Sequence, residues 1–285
     1  MIIQAMSGLG DNIYLRPVIK WLPRRKEINI ITPWPQIYVD LPNVKCLRPV
    51  FSGLRTQSDN INREDLKWKG PAERPDYFLT YEIQKEPPLY TFLRMICGQQ
   101  PTWLDNTFTI PDGWIDSAYR LIPANKPVCL IRPNTIRSEW PCPARNPRNE
   151  YLQQFINMYR KKYYFVSLAN LCIGKEWYEK PLVNIDIEML NCSLEITVGL
   201  FAIANLIVCS PSFWMPLGAT LNSKMLVIYG AGEQHKQIHD KRLETKNMVV
   251  VEPDPFERCS VRKPDAYKDI PKDILVRAFE EVTCK

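Results

Sequence analysis

Histidine is nearly absent from this chain of 285 residues: His235 and His239 are the only two. Four residues apart, they share a face if helical, and with Glu233 and Asp240 nearby they suggest a metal. No further ligand pattern supports one, so a solvated polar loop is the expected setting. The nine cysteines are scattered, odd in number and never spaced Cys-x-x-Cys, which argues against zinc and a disulfide framework. Cys129 and Cys209 lie in apolar runs, where a reduced thiol serves as a small core residue. No apolar run approaches the ~20 residues that cross a bilayer, so stable membrane insertion is not expected. Met1 opens on a strand pattern and not on a basic segment with an apolar stretch and cleavage site. These absences lead to the expectation of a cytoplasmic protein.

What is present is an ordinary soluble composition, 45% hydrophobic and 24% charged, long enough for two domains. The net charge of +6 is uneven: from Arg16 to Arg74 twelve Lys or Arg face six Asp or Glu. That stretch suits either an anionic partner or a solvated face.

Apolar runs alternate with helical spacing, the pattern of βα units around parallel sheets. In the first half strands are expected at Ile2 to Met6, Ile28 to Thr32, Val44 to Leu47 and Tyr77 to Tyr81, and helices at Asn12 to Leu22 and Leu89 to Cys97. Pro49 to Pro75 reads as long loops. After a break at Ile122 to Pro127 the pattern restarts. Strands are expected at Val128 to Ile131, Tyr163 to Leu168, Leu182 to Ile187, Leu206 to Cys209 and Met225 to Tyr229. Helices are expected at Glu150 to Lys161, Ser193 to Ala204, Trp214 to Leu221 and Pro271 to Val282. The expected domains are 1–124 and 125–270, both Rossmann-like, with a last helix at 271–285.

The stretch Met1 to Leu22 is the most informative. Its strand leads into Ser7-Gly8-Leu9-Gly10-Asp11-Asn12 and then a helix, and Gly8 and Gly10 allow positive φ and let backbone N–H groups face a ligand. Asp11 either takes a proton from a bound hydroxyl or caps the helix. The loop lacks the third glycine of a dinucleotide fingerprint, and no acid follows a second strand at the expected distance, which weakens an oxidoreductase reading. In the second half, Arg132 to Pro141 is a polar loop after a strand, where Arg137 suits a diphosphate or is a surface arginine. Asn191 to Glu195 opens a helix with Ser193 as cap and Glu195 in its first turn. Ser210 to Trp214 is a strand-to-helix turn in which Ser212 also suits a cap.

In order, these pieces resemble the heptosyltransferase-like family, the inverting GT-B glycosyltransferases related to the ADP-heptose:lipopolysaccharide heptosyltransferases. The resemblance rests on Gly8-Leu9-Gly10-Asp11 with Arg16-Pro17, Val128 to Pro141, Asn191 to Glu195, Ala204 to Val208, Leu226 to Gly230 and the closing Cys259 to Val282. It spans nearly the whole chain, although residues 33 to 120 match only in outline. It implies a GT-B fold of two Rossmann-like domains facing a cleft and a nucleotide-sugar donor as co-substrate. Asp11 becomes the general base, Asn134, Thr135 and Arg137 donor-phosphate ligands, and Glu195 a nucleotide contact. Ser193 caps the donor-side helix, Ser212 lies in the donor loop, and Gly8, Gly10 and Asn12 shape the first loop. Where the family commonly has an acid, a hydroxyl residue and a glycine, with a histidine a turn later, this chain has Pro211, Ser212, Phe213 and Pro216.

The implied chemistry is one displacement at the anomeric carbon. No Asp-x-Asp pattern occurs, so a metal-independent inverting transfer is expected, with no cofactor besides the donor. The basic stretch with Trp34, Trp68 and Trp103 suits an anionic acceptor, either a lipopolysaccharide-type glycan or a hydroxymethylated base in phage DNA. A noncatalytic GT-B-like protein that binds a nucleotide or glycan is the alternative, and the altered Pro211 to Pro216 loop is its support.

Overall fold

The computed structural model describes residues 1–23, 26–50, 53–82, 86–122, 125–254 and 269–284. Arg24 and Arg25 of the basic stretch, Pro123 and Ala124 of the expected break, and 259–268 of the closing segment lie outside the described residues. The chain forms two compact units, one from Met1–Thr109 with Lys236–Glu244, the other from Ile110–His235 with Thr245–Lys285.

The first unit contains β1 (Ile2–Gln4), α1 (Leu9–Trp21), β2 (Ile28–Ile31), β3 (Val44–Arg48), α2 (Arg55–Ile61), β4 (Gly70–Pro71), β5 (Tyr77–Phe78) and α3 (Pro88–Cys97). The strands are all parallel, in the order β4-β3-β2-β1-β5. Ile3, Ile28, Ile30 and Leu47 are fully buried, as a parallel sheet requires. The strand order reverses at β1, which pairs with β2 on one side and β5 on the other. In sheets of this kind ligands bind at such a reversal, beyond the carboxyl ends of the strands. The stretch expected to be loop throughout holds α2, because the Gln57 side chain accepts hydrogen bonds from the Gly53 and Leu54 amides and starts a turn there.

The second unit contains α4 (Asp112–Leu121), β6 (Val128–Ile131), β7 (Thr135–Arg137), α5 (Asn149–Tyr159), β8 (Tyr164–Ala169), β9 (Glu176–Tyr178), β10 (Ile187–Leu190), α6 (Leu194–Ile203), β11 (Leu206–Cys209), α7 (Trp214–Thr220), β12 (Met225–Ile228), β13 (Met248–Val251) and α9 (Lys272–Cys284), while α8 (His235–Ile238) begins on its residue His235 and continues into the Lys236–Glu244 segment of the first. Its six-stranded parallel sheet runs β10-β8-β6-β11-β12-β13. In chain order this is the doubly wound 3-2-1-4-5-6 arrangement, with its reversal between β6 and β11. All four residues of each of β6, β11 and β12 are buried. The core on one face centres on Phe155, whose ring meets Phe279 edge-on at 5.0 Å and Phe165 at 6.3 Å. On the other face α4 packs on α6 at Gly199, where any Cβ would collide with the Trp114 carbonyl.

The expectation of an α/β fold with two Rossmann-like units, as in GT-B proteins, therefore holds. Further details differ. The strand expected from Leu182 begins only at Ile187: Asn184 turns the chain at φ 64°, and the Asp186 carboxylate accepts from the Phe165 amide. The helix α4 and the edge strand β13 were not anticipated. The loop after β6 forms a small antiparallel ribbon, β7 with β9.

Candidate active site

The first candidate group lies at the β1 reversal. The helix α1 starts at Leu9, two residues before Asp11, so Gly10 is a helical residue and Asp11 stands in the first helical turn. Gly8 caps the helix at φ −67° and ψ 138°, so the positive φ expected of these glycines is not used. Gly8 matters for another reason. The Asp11 carboxylate folds back over it and occupies the place where a Cβ would stand. An acid in the first turn also meets the positive end of the helix dipole, so both the capping and the proton-accepting readings suit this geometry.

Asn12 fixes this turn. Fully buried, it donates through Nδ2 to the Met6 and Gly8 carbonyls at 2.8 and 2.7 Å. Its Oδ1 accepts from Thr32 Oγ1 at 2.6 Å and from the Tyr38 hydroxyl at 3.0 Å. The Trp34 indole donates to the Ser7 carbonyl at 2.8 Å. Burial raises the Tyr38 pKa well above its usual value, so its hydroxyl remains a donor. Asn12 therefore ties the β1 loop to the ends of β2 and of the turn after it, and holds Asp11 in register.

The same helix is anchored by Arg16, whose side chain has no exposed surface. It makes a two-pronged pair with Asp40 at 2.8 Å on each prong, donates to the Ile37 and Thr107 carbonyls, and lies over the Phe108 ring.

The second group lies at the β6/β11 reversal. Asn134 is fully buried and donates to the Pro147 carbonyl at 2.8 Å, while its Oδ1 has no hydrogen-bond partner among the described residues. Thr135 and Arg137 both turn toward Glu176 on the facing strand β9. Arg137 Nε donates to the buried Glu176 Oε1 at 2.7 Å, and Thr135 Oγ1 lies 3.5 Å from the same oxygen. Arg145 pairs with buried Glu233 through Nε at 2.7 Å and Nη2 at 2.6 Å, with Trp140 stacked 5.0 Å away.

Arg132, directly after β6, is mostly buried and was not among the expected ligands. Its Nη1 donates to Ser210 Oγ, directly after β11, at 2.9 Å. No carboxylate lies within ion-pair distance of it among the described residues, and burial with the nearby Arg137 charge pulls its pKa down to about 10. Arg132, Arg137 and Arg145 thus lie with Glu176, Glu179 and Glu233 around the loop after β6. The sequence signal was a cation immediately after a wholly apolar parallel strand.

The other expected residues take structural roles as well. Ser193 Oγ caps α6 by accepting from the Ile196 amide at 3.3 Å, and Glu195 lies in that helix's first turn. Ser212 Oγ accepts from the Trp214 amide at 3.2 Å. Neither histidine lies in a solvated loop. His239 is buried with Nδ1 3.0 Å from the Tyr14 hydroxyl, and His235 Nδ1 is 2.8 Å from the Tyr229 hydroxyl. Among the described residues no cluster of three or more His, Cys, Asp or Glu suits a metal ion. Several cations of the basic stretch face carboxylates: Arg16 meets Asp40, Lys20 meets Asp105, Lys45 and Lys69 meet Glu27, Arg55 meets Asp59 and Arg63 meets Asp65.

No protein-family model matches the chain, and no curated protein matches it by sequence. Solved structures do resemble it. A glycosyl transferase family 9 protein from Veillonella parvula DSM 2008 is 13% identical with a TM-score of 0.66 over 99% of this chain and 96% of that one. E. coli ADP-heptose lps heptosyltransferase II is 11% identical with a TM-score of 0.61, over 99% and 98%. The iron-containing dodecameric glycosyltransferase TibC from enterotoxigenic E. coli is 11% identical with a TM-score of 0.64, over 100% of this chain and 78% of that one. At these identities the shared property is the fold.

Proposed function

We propose that this protein is a glycosyltransferase that moves a sugar from a nucleotide-sugar donor to a hydroxyl of a glycan. The observation that carries this reading is that an acid, Asp11, stands in the first helical turn at the strand-order reversal of the first sheet, while a loop bearing Arg132 and Arg137 follows β6 at the reversal of the second. Solved glycosyltransferases share the fold over almost the entire chain, which supports the choice of reaction.

In this reading Asp11 takes the proton of the acceptor hydroxyl as its oxygen attacks the anomeric carbon. The bond from that carbon to the diphosphate oxygen breaks, and its electron pair leaves with the nucleoside diphosphate. One displacement inverts the anomeric configuration. The cations beyond β6 stabilise the leaving charge, so the reaction proceeds without a divalent metal. Arg137 contributes its terminal nitrogens, since Glu176 holds only Nε. Asn134 and Thr135 shape the loop, Ser193 caps α6 beneath the nucleotide, Glu195 contacts the nucleotide, and Ser212 orders the donor loop. Ion pairing of Arg16, Lys20, Lys45, Arg55, Arg63 and Lys69 leaves fewer cations of that stretch for phosphate contacts, which favours a glycan acceptor over nucleic acid.

The test incubates the protein with UDP-, GDP-, ADP- and TDP-sugars, with lipopolysaccharide core or hydroxymethylated DNA, and measures free nucleoside diphosphate. Release that requires the glycan and is lost in Asp11→Ala supports the proposal, and an inverted product anomer by NMR supports the single displacement. Release only with DNA overturns the acceptor. Nucleotide binding without release under any condition favours a noncatalytic binding protein.

A further inference from the structure

The second unit carries a cavity of about 640 Å³ on the solvent side of α5, within the ~300–1,000 Å³ usual for small-ligand sites. Every residue lining it belongs to α5 or to the chain at 180–183 that leads toward β10, and none to the loops after β6 or β11. Residues four apart share a helix face, so Asn149, Gln153 and Asn157 form one row along α5 and Glu150, Gln154 and Met158 the row beside it. Leu152, Phe155 and Ile156 belong to the core on the opposite face.

The wall of this cavity is fixed before any ligand arrives. Gln153 Nε2 donates to the Val183 carbonyl at 3.1 Å, and its Oε1 accepts from the Val183 amide at 2.9 Å. The same Nε2 donates at 3.0 Å to Asn157 Oδ1, which also accepts from Asn184 Nδ2 at 3.3 Å. What is left over is a set of amide donors and acceptors without net charge. Asn149 lines the cavity although it is only 7% exposed, and its Oδ1 has no hydrogen-bond partner among the described residues. A half-turn of that amide exchanges the oxygen with Nδ2. Asn157 makes its bonds through Oδ1, which leaves Nδ2 to donate elsewhere. Gln154 has only the Met158 sulfur, 3.9 Å from its Nε2. The charges of Lys180 and Glu150, 3.4 Å apart, offset each other.

We propose that this cavity binds a neutral saccharide unit, its hydroxyls bridged by the amides of Asn149, Gln154 and Asn157 and its C–H face laid on Met158, Pro181 and Val183. Each sugar hydroxyl both donates and accepts, as a side-chain amide does, whereas a phosphate or a cation finds no excess of opposite charge here. A peptide is served less well. Peptide grooves rely on a free main-chain edge or a run of apolar anchors, and both backbone groups of Val183 are already bonded by Gln153. Because the wall is preorganised, little ordering cost falls on the protein when the sugar enters. On the glycosyltransferase reading, a sugar held here keeps a glycan on the protein between transfers, but the binding itself does not depend on that reading.

The experiment is calorimetric titration of the full chain with the neutral disaccharides maltose, lactose, mannobiose and N,N′-diacetylchitobiose, of which at least one is expected to bind. Gln154→Ala should weaken that binding about 3- to 10-fold, the share of one hydrogen bond, and Asn149→Ala by a similar factor. Gln154→Arg, at a position with solvent on one side, should fill the cavity and abolish binding while the unfolding midpoint stays that of wild type. Binding that persists in Asp11→Ala and is lost in Gln154→Arg supports the proposal even when no donor yields free nucleoside diphosphate. Failure of every probe to bind overturns it, as does equal affinity in wild type, Gln154→Ala and Gln154→Arg. Glycan-dependent diphosphate release with that equal affinity overturns this site and leaves the transferase reading standing. A dimer that Gln154→Arg dissociates, without disaccharide binding, makes the cavity a contact between copies and likewise overturns the proposal.

Discussion

Asp40→Ala is expected to be among the more destabilising single changes in the first unit, and the structure sets its size. Arg16 has no exposed side-chain surface, and Asp40 is 9% exposed. Removing one partner of such a pair strands a buried charge and costs about 3–5 kcal/mol. The Ile37 and Thr107 carbonyls and the Phe108 ring still face Arg16 and moderate the loss, so ~3 kcal/mol is the figure to test. The control is Asp273→Ala, which breaks the Arg277 pair on α9, 71% and 72% exposed, and is worth ~0.5 kcal/mol or less. Urea denaturation of both variants beside wild type gives the two differences directly, and replacing Arg16 and Asp40 together by Met and Leu should recover much of the loss. Burial acts to raise the Asp40 pKa, but hydrogen bonding to Arg16 and that charge outweigh it, so the folded value lies below the ordinary 3.8. The stability from this pair is therefore present above pH 3.8 and lost as pH falls through the folded pKa, a dependence that Asp40→Ala should lack. An Asp40→Ala cost under 1 kcal/mol would refute the claim that this pair anchors the helix carrying Asp11.

Asp11→Asn should lower kcat about 10²- to 10⁴-fold, the usual share of a general base, with a stability change of only ~0.3–1 kcal/mol from the helix dipole; an unchanged kcat removes Asp11 from the chemistry. Gly8→Ala places a methyl group where the Asp11 carboxylate now stands, at a φ that alanine accepts, so kcat should fall toward that of Asp11→Asn with the protein still folded. Equal kcat in Gly8→Ala and wild type would show that the present carboxylate position is not required. Burial lowers the His235 pKa, outweighing the Glu252 charge, so the unfolded chain takes up its proton first as pH falls below about 6.5. Stability should decline over that range, and His235→Gln should flatten the decline in denaturation midpoints measured from pH 7 to 5.

The parallel framework was legible because burial on both faces writes itself as unbroken apolar runs. Val128 to Ile131, Leu206 to Cys209 and Met225 to Ile228 stand in the sheet almost as their sequence suggests. The errors fall where tertiary contacts decide. Leu182 and Ile185 are apolar because they pack against the core as irregular chain, so hydrophobicity alone mislocated β10. The helix α4 begins Asp112-Gly113, a weak helical start, and exists because Gly199 lets α6 approach its backbone. The helix α2 depends on one glutamine side chain closing the turn before it.

At the candidate site the sequence revealed positions more readily than occupations. Gly8, Asp11 and Asn12 stand together at one strand reversal, but glycine is needed at position 8 because a carboxylate lies over it, a constraint that no local pattern expresses. Arg137 drew attention as the arginine of a polar loop, yet its Nε already faces Glu176, which is 39 residues distant in sequence. Arg132 opens the loop in which Arg137 was singled out, and its hydrogen bond to Ser210, 78 residues away, could not be read from the loop itself. Pairing of this kind is non-local: Glu176 stands 39 residues from Arg137 and Glu233 stands 88 residues from Arg145, yet these carboxylates decide how each guanidinium is oriented.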